Sequence, residues 1–119
     1  MKAAGMALLA LAAGCAGYGS ATDYRWALEV PETVDPGADL EFRVKTFGPE
    51  DVEAPGVPYR FSVVWPGGPS DVIPRAGRTG EEPKRVRARL AAGKARILIH
   101  GQTLEEKWVK VAEAPFEIK

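Results

Sequence analysis

A single cysteine, a single histidine and two methionines stand among the 119 residues of this chain, and no stretch of it carries a helical period. One cysteine excludes an internal disulfide, so the fold must be held by its hydrophobic core. It also excludes a thiol-based metal site, and with His100 alone no second imidazole is available for zinc. No apolar run reaches the ~20 residues needed to cross hydrocarbon. The 16 basic and 16 acidic residues cancel, so no global field draws the chain to nucleic acid or anionic lipid. The length suits one domain and leaves little for a catalytic cleft beside its core.

The cancellation hides an asymmetry. From Asp23 to Glu53 nine acids face three bases; from Arg60 to Arg96 nine bases face three acids. Segments of opposite sign in one small domain most simply meet across neighbouring strands. A polar surface for a partner is the alternative.

What is present begins with Met6-Ala-Leu-Leu-Ala-Leu-Ala-Ala-Gly-Cys15, apolar throughout and preceded by Lys2. It has the length and small-residue ending of a signal peptide. Ala12-Ala13-Gly14-Cys15 resembles the bacterial lipobox, although Leu11 stands one place earlier than the usual leucine. The resemblance implies a signal over 1–14, lipid on Cys15, and membrane attachment through that lipid. Ala16 in place of an aspartate then implies the outer membrane. Cleavage by an ordinary signal peptidase after Gly19-Ser20-Ala21 remains open, and would give a freely secreted chain. Residues 15–23, rich in Gly, Ser and Ala, read as a flexible tether.

From Tyr24 onward the pattern is period two. Tyr24, Trp26, Leu28 and Val30 share one face of a first strand. Pro31 to Gly37 breaks it. Leu40, Phe42 and Val44 mark a second strand, and Tyr59, Phe61, Val63 and Trp65 a third. Residues 71–74 suggest a short connecting strand, and Gly77 to Pro83 a polar turn. Val86, Ala88 and Leu90 oppose Arg85, Arg87 and Arg89. The chain then turns at Gly93 into Ala95–His100, which predicts a hairpin with Arg96 across from the arginines. Trp108 to Lys119 closes the domain. Its apolar positions change parity, which predicts a bulge or edge break near Pro115. The sum is an all-β, antiparallel sandwich of about seven strands over 24–119.

Pro31-x-x-Val-x-Pro-Gly-x-x-Leu-x-Phe42, Pro58-Tyr-Arg-Phe-Ser-Val63 and Leu90-Ala-Ala-Gly-Lys-Ala-Arg-Ile-Leu-Ile99 resemble the bacterial immunoglobulin-like and carboxypeptidase-regulatory-like domains. In those domains a Gly-x-Ala-x-Val-x-Leu strand follows a turn, and Gly93, Ala95, Ile97 and Ile99 hold the equivalent places. The resemblance implies a structural or protein-interaction module of the cell envelope, not a catalyst and with no cofactor.

Candidate sites are few. Glu50, Asp51 and Glu53 could offer oxygens to Ca²⁺, but they lack EF-hand spacing and read better as a solvated loop. Loops 47–57 and 65–70, with Trp65, could hold carbohydrate if the tryptophans formed an open platform. Arg85, Arg87 and Arg89 could form a basic face for an anionic partner. Ser62 and Ser70 lack the context of an activated nucleophile, and Gly67-Gly68 is not followed by a phosphate-binding Lys-Ser/Thr. Without exposed aromatics among the bases, nucleic acid is not an expected partner.

Overall fold

The computed structural model describes residues 19–67 and 74–119. The signal segment, Cys15, the tether as far as Tyr18 and most of the expected 71–74 strand lie outside them.

Among the described residues eight strands follow in order: β1 (Arg25–Glu29), β2 (Thr33–Val34), β3 (Asp39–Phe47), β4 (Pro58–Val64), β5 (Arg75–Arg78), β6 (Lys84–Arg87), β7 (Gly93–Gln102) and β8 (Trp108–Ile118). Short 3₁₀ turns cover Ala21–Asp23 and Pro49–Asp51. One sheet has the order β1-β3-β6 and the other β2-β8-β7-β4-β5. Taking β1, β3 and β6 as the A, B and E strands and β4, β7 and β8 as C, F and G gives the immunoglobulin-like division of strands between two sheets.

Alternation decides the core. Leu40, Phe42 and Val44 of β3 point inward and meet Tyr59, Phe61 and Val63 of β4, with Ile97 and Ile99 of β7 and Phe116 and Ile118 of β8. Phe42 and Phe61 meet edge to face at 5.0 Å, and Trp65 meets Phe116 likewise at 6.4 Å. Such pairs favour contact of a ring edge with a π face.

Several expectations give way. The Pro31–Gly37 stretch contains β2, which pairs parallel with Glu117 and Ile118. The first strand therefore divides at Pro31 and serves both sheets. Residues 75–78, expected to run into a polar turn at Gly77, form β5 along β4. An added Cβ at Gly77 would lie 2.6 Å from the Tyr59 hydroxyl, so the bare backbone there makes room for the ring. No hairpin joins β6 to β7: β6 pairs with β3, and β7 lies in the opposite sheet. The link from Ala88 to Ala92 crosses between sheets, and Leu90 is exposed. In β8 the register shifts where Ile99 faces Ala112 and His100 faces Lys110, leaving Val111 as the bulged residue. The parity change is thus absorbed ahead of Pro115. Pro115 continues the strand opposite Arg96, beyond the short reach of β2.

The domain starts before Tyr24. Gly19 donates its N–H to the Tyr24 hydroxyl at 3.1 Å, and the Ser20 N–H donates to Asp23 Oδ2 at 3.0 Å. Ala21 is 1 % exposed, and its carbonyl accepts the Trp26 indole N–H at 2.8 Å. A Cβ on Gly101 would stand 2.5 Å from that of Ala21. Residues 19–23 are therefore a packed latch, where the sequence alone suggested the end of a tether.

Candidate functional site

The outer faces of the two sheets follow from the same alternation, and their charges differ. On the three-stranded sheet, Asp39 faces Arg87 and Glu41 faces Arg85 in register. Arg85 Nε reaches Glu41 at 2.9 Å, Arg87 Nε reaches Asp39 at 3.7 Å, and Lys45 reaches Glu29 at 3.6 Å. The acidic and basic halves of the sequence meet here as a cross-strand ladder. Arg85 and Arg87 are consequently engaged with neighbouring strands. Arg89 lies beyond β6, with its guanidinium 4.9 Å from the centre of the Trp65 ring. Arg96 is on the other sheet and joins Lys110 on Glu113. Donation by Lys110 and then by Arg96 holds the Glu113 carboxyl below the usual range.

The acidic loop has its own arrangement. Asp51 Oδ1 receives the Arg25 guanidinium at 2.8 Å. Glu50 and Asp51 both have positive φ, 60° and 61°, a conformation unfavourable for side chains without glycine's freedom. Among the described residues no three carboxylate, imidazole or thiol groups converge as a metal site. The loop is tied down behind them. The Thr46 hydroxyl donates to the Ala54 carbonyl at 2.6 Å and lies 2.7 Å from the Thr79 hydroxyl. Thr79 Oγ1 also accepts the Val57 N–H at 3.0 Å. A proton order from Val57 N–H through Thr79 and Thr46 to Ala54 uses both buried hydroxyls as donor and acceptor.

The tryptophans form no common platform. Trp65 belongs to the core at 5 % exposure, so it is not a loop-tip ligand residue. Trp26 is half-buried against the latch. Trp108 lies on the outer face of the five-stranded sheet, and Arg60 of β4 reaches across β7 to place Cζ 4.1 Å from its ring centre.

That stack borders a groove of ≈ 380 Å³ between β4, β5 and Trp108, lined by Pro58, Arg60, Ala76, Arg78, Glu81 and Trp108. Arg60 faces Ala76 and Pro58 faces Arg78 in register. The two guanidiniums therefore start from diagonal positions on one sheet face, within reach of long side chains. Among the described residues Arg60 forms no ion pair, and the Arg78 fork donates to the Gly56 carbonyl at 3.0 Å. Tyr59 lies beneath, its hydroxyl pushed up to about 12 by burial and secondarily by Glu81. Sequence reasoning missed this groove because β5 lacks hydrophobic alternation. The signal that could have located it is Arg60, a base between two core aromatics and therefore directed outward.

Among the described residues no helix is long and apolar enough to cross a membrane. No protein-family model matches this chain, and no curated protein matches it. A similar solved structure is the crystal structure of the CARDB domain of the PF1109 protein from Pyrococcus furiosus, in complex with di-metal ions. It is 16 % identical, covers 89 % of this chain and 95 % of its own, and gives a TM-score of 0.42. The immunoglobulin-like assignment rests on strand order and register, and the metal ions remain a property of that other protein.

Proposed function

We propose that this protein is an exported β-sandwich, anchored through lipid on Cys15, that acts as a non-catalytic structural or protein-interaction module of the bacterial cell envelope. The observation that carries the reading is the buried latch at Ala21. Cleavage after Ala21 would begin the mature chain at Thr22. It would remove the acceptor of the Trp26 indole N–H and empty the space over Gly101. The indole donor is part-buried and would turn to water, so what is lost is one hydrogen bond of about 0.5–1.5 kcal/mol together with the packing of Ala21 against Gly101 and Trp26. Processing at Cys15 keeps the latch whole and leaves a short spacer before Gly19.

The apolar run, Lys2 and the small residues before Cys15 support export on the same side of the argument. Several acyl chains, each contributing about 0.8 kcal/mol per buried CH₂, would hold such a domain at a bilayer. Ala16 after the cysteine favours the outer membrane.

The test is the intact mass of the mature protein from membrane and soluble fractions of a bacterial host, beside Cys15→Ser. A lipid-bearing chain beginning at Cys15, absent in the variant, is the expected result. A soluble chain beginning at Thr22 and unchanged by the substitution would overturn the anchor.

A further inference from the structure

The groove between β4, β5 and Trp108 carries more than a general interaction surface. We infer that it is a carboxylate-binding site, in which Arg60 and Arg78 together receive an aspartate or glutamate side chain of an extended partner segment. The inference deepens the interaction-module reading and rests on it.

Arg60 is the centre of the site. Its Cζ lies 4.1 Å from the centre of the Trp108 ring, and that cation–π contact holds the guanidinium over the indole. The fork is thus positioned before any ligand arrives, which reduces the entropy lost on binding. Its geometry matches the two oxygens of a carboxylate. Six of the bases on the opposite and neighbouring surfaces (Arg25, Lys45, Arg85, Arg87, Arg96 and Lys110) already hold carboxylates. Among the described residues Arg60 holds only a ring. Arg78 starts on the diagonal of the same face, and among the described residues its one hydrogen bond, to Gly56, leaves donors on the fork unused. Ala76, opposite Arg60, is small and keeps the floor between them open.

The groove also selects. Its volume suits one or two side chains rather than a folded surface. Glu81 at the rim repels a second negative charge, so a single carboxylate is preferred to a dense polyanion. The occupant is peptide rather than sugar, because the Trp108 face on which a pyranose would stack is covered by Arg60.

The experiment uses the full chain in detergent, ¹⁵N-labelled, titrated with a short blocked peptide that carries a single glutamate among glycines and alanines. The readouts are the Arg60 Nε–H and Trp108 Nε1–H resonances. Saturable shifts of both are expected, with Arg60→Gln or Arg78→Gln weakening binding by about tenfold while Arg85→Gln leaves it unchanged. Glu81→Gln should tighten it by about two- to threefold. Failure to saturate at millimolar peptide would overturn the site, and so would equal weakening by Arg85→Gln, which marks diffuse electrostatics. Stronger binding of an oligogalacturonate than of the peptide would transfer the groove to anionic glycan and overturn the peptide assignment. None of these outcomes touches the mass of the Cys15 chain, so failure of the groove and failure of the anchor are separately visible.

Discussion

The two outer sheet faces are built from similar residues and end in different electrostatic states. On the three-stranded sheet, residues of opposite charge on adjacent strands lie within reach of one another, and Asp39, Glu41 and Glu29 each meet a base. On the five-stranded sheet a single acid, Glu113, serves both Arg96 and Lys110, while Arg60 rests on Trp108. Counting charges along the chain cannot separate these cases. Strand order can, because it decides which acids reach which bases. A run of arginines such as 85–89 attracts notice in a sequence, yet its sheet-facing members are the ones already neutralised. A solitary arginine between two core aromatics escapes notice, yet its charge remains available.

Both faces hang on a common closure, and the largest effect should come from loosening it. Gly101→Ala would press a Cβ to within 2.5 Å of Ala21 and 3.0 Å of Trp26. The expected cost is about 1–3 kcal/mol in urea unfolding, as for other overpacked sites. Adding Ala21→Gly should recover part of it, a non-additivity that marks direct contact. Full additivity would mean that the latch and β7 do not touch, and the faces would lose their shared hinge.

Alkaline titration gives the next effect and bears on the five-stranded face alone. Burial, then Glu81, raise the Tyr59 hydroxyl from its ordinary 10.0 to about 12. The stability it contributes is therefore complete below the unfolded value and is lost as pH rises towards the folded one. Between those limits the wild type should weaken with pH more steeply than Tyr59→Phe. Parallel profiles would show that the floor of the groove is not buried as described.

The smallest effect compares the faces directly. Arg85→Gln and Arg60→Gln should each cost within about 1 kcal/mol, as exposed charges do. Salt should shrink the first, because it screens the Glu41 pair, and should scarcely change the second. Equal salt dependence would mean that Arg60 has an acidic partner after all, and the contrast between the faces would collapse.

How much of this was legible follows from the kind of signal each element leaves. β3 and β7 alternate cleanly because one face is buried along their length, and β4 shows the same pattern at Tyr59, Phe61 and Val63 although Ser62 between them is buried too. β2 is two residues among prolines, held by β8 rather than by its own pattern. β5 contributes Gly77 to the interior, and a glycine that accommodates Tyr59 leaves no hydrophobic mark. The β6–β7 link reads as a hairpin because glycine turns and sheet crossings have the same composition. The bulge was foreseen from parity, but its place depended on where β7 changes register, at Val111 rather than at the conspicuous proline. The candidate site divided in the same way. Arg85 and Arg87 were readable as cross-strand partners of the acidic half, whereas the Arg60–Trp108 stack needed knowledge that β4, β7 and β8 lie side by side.

The division of the first strand at Pro31 also has a mechanical meaning. The chain leaves the Ala21 latch, pairs with β3 in one sheet, crosses, and pairs with β8 in the other. Tension arriving through the N-terminus would first load the latch and then β1, whose bonds to β3 can open one after another. It would next reach β2, parallel to the terminal strand, where a pull between the chain ends acts along the strands and strains the joining bonds together. A domain pulled between its two ends would therefore yield in stages, with the crossing at Pro31 separating the part that gives from the part that holds.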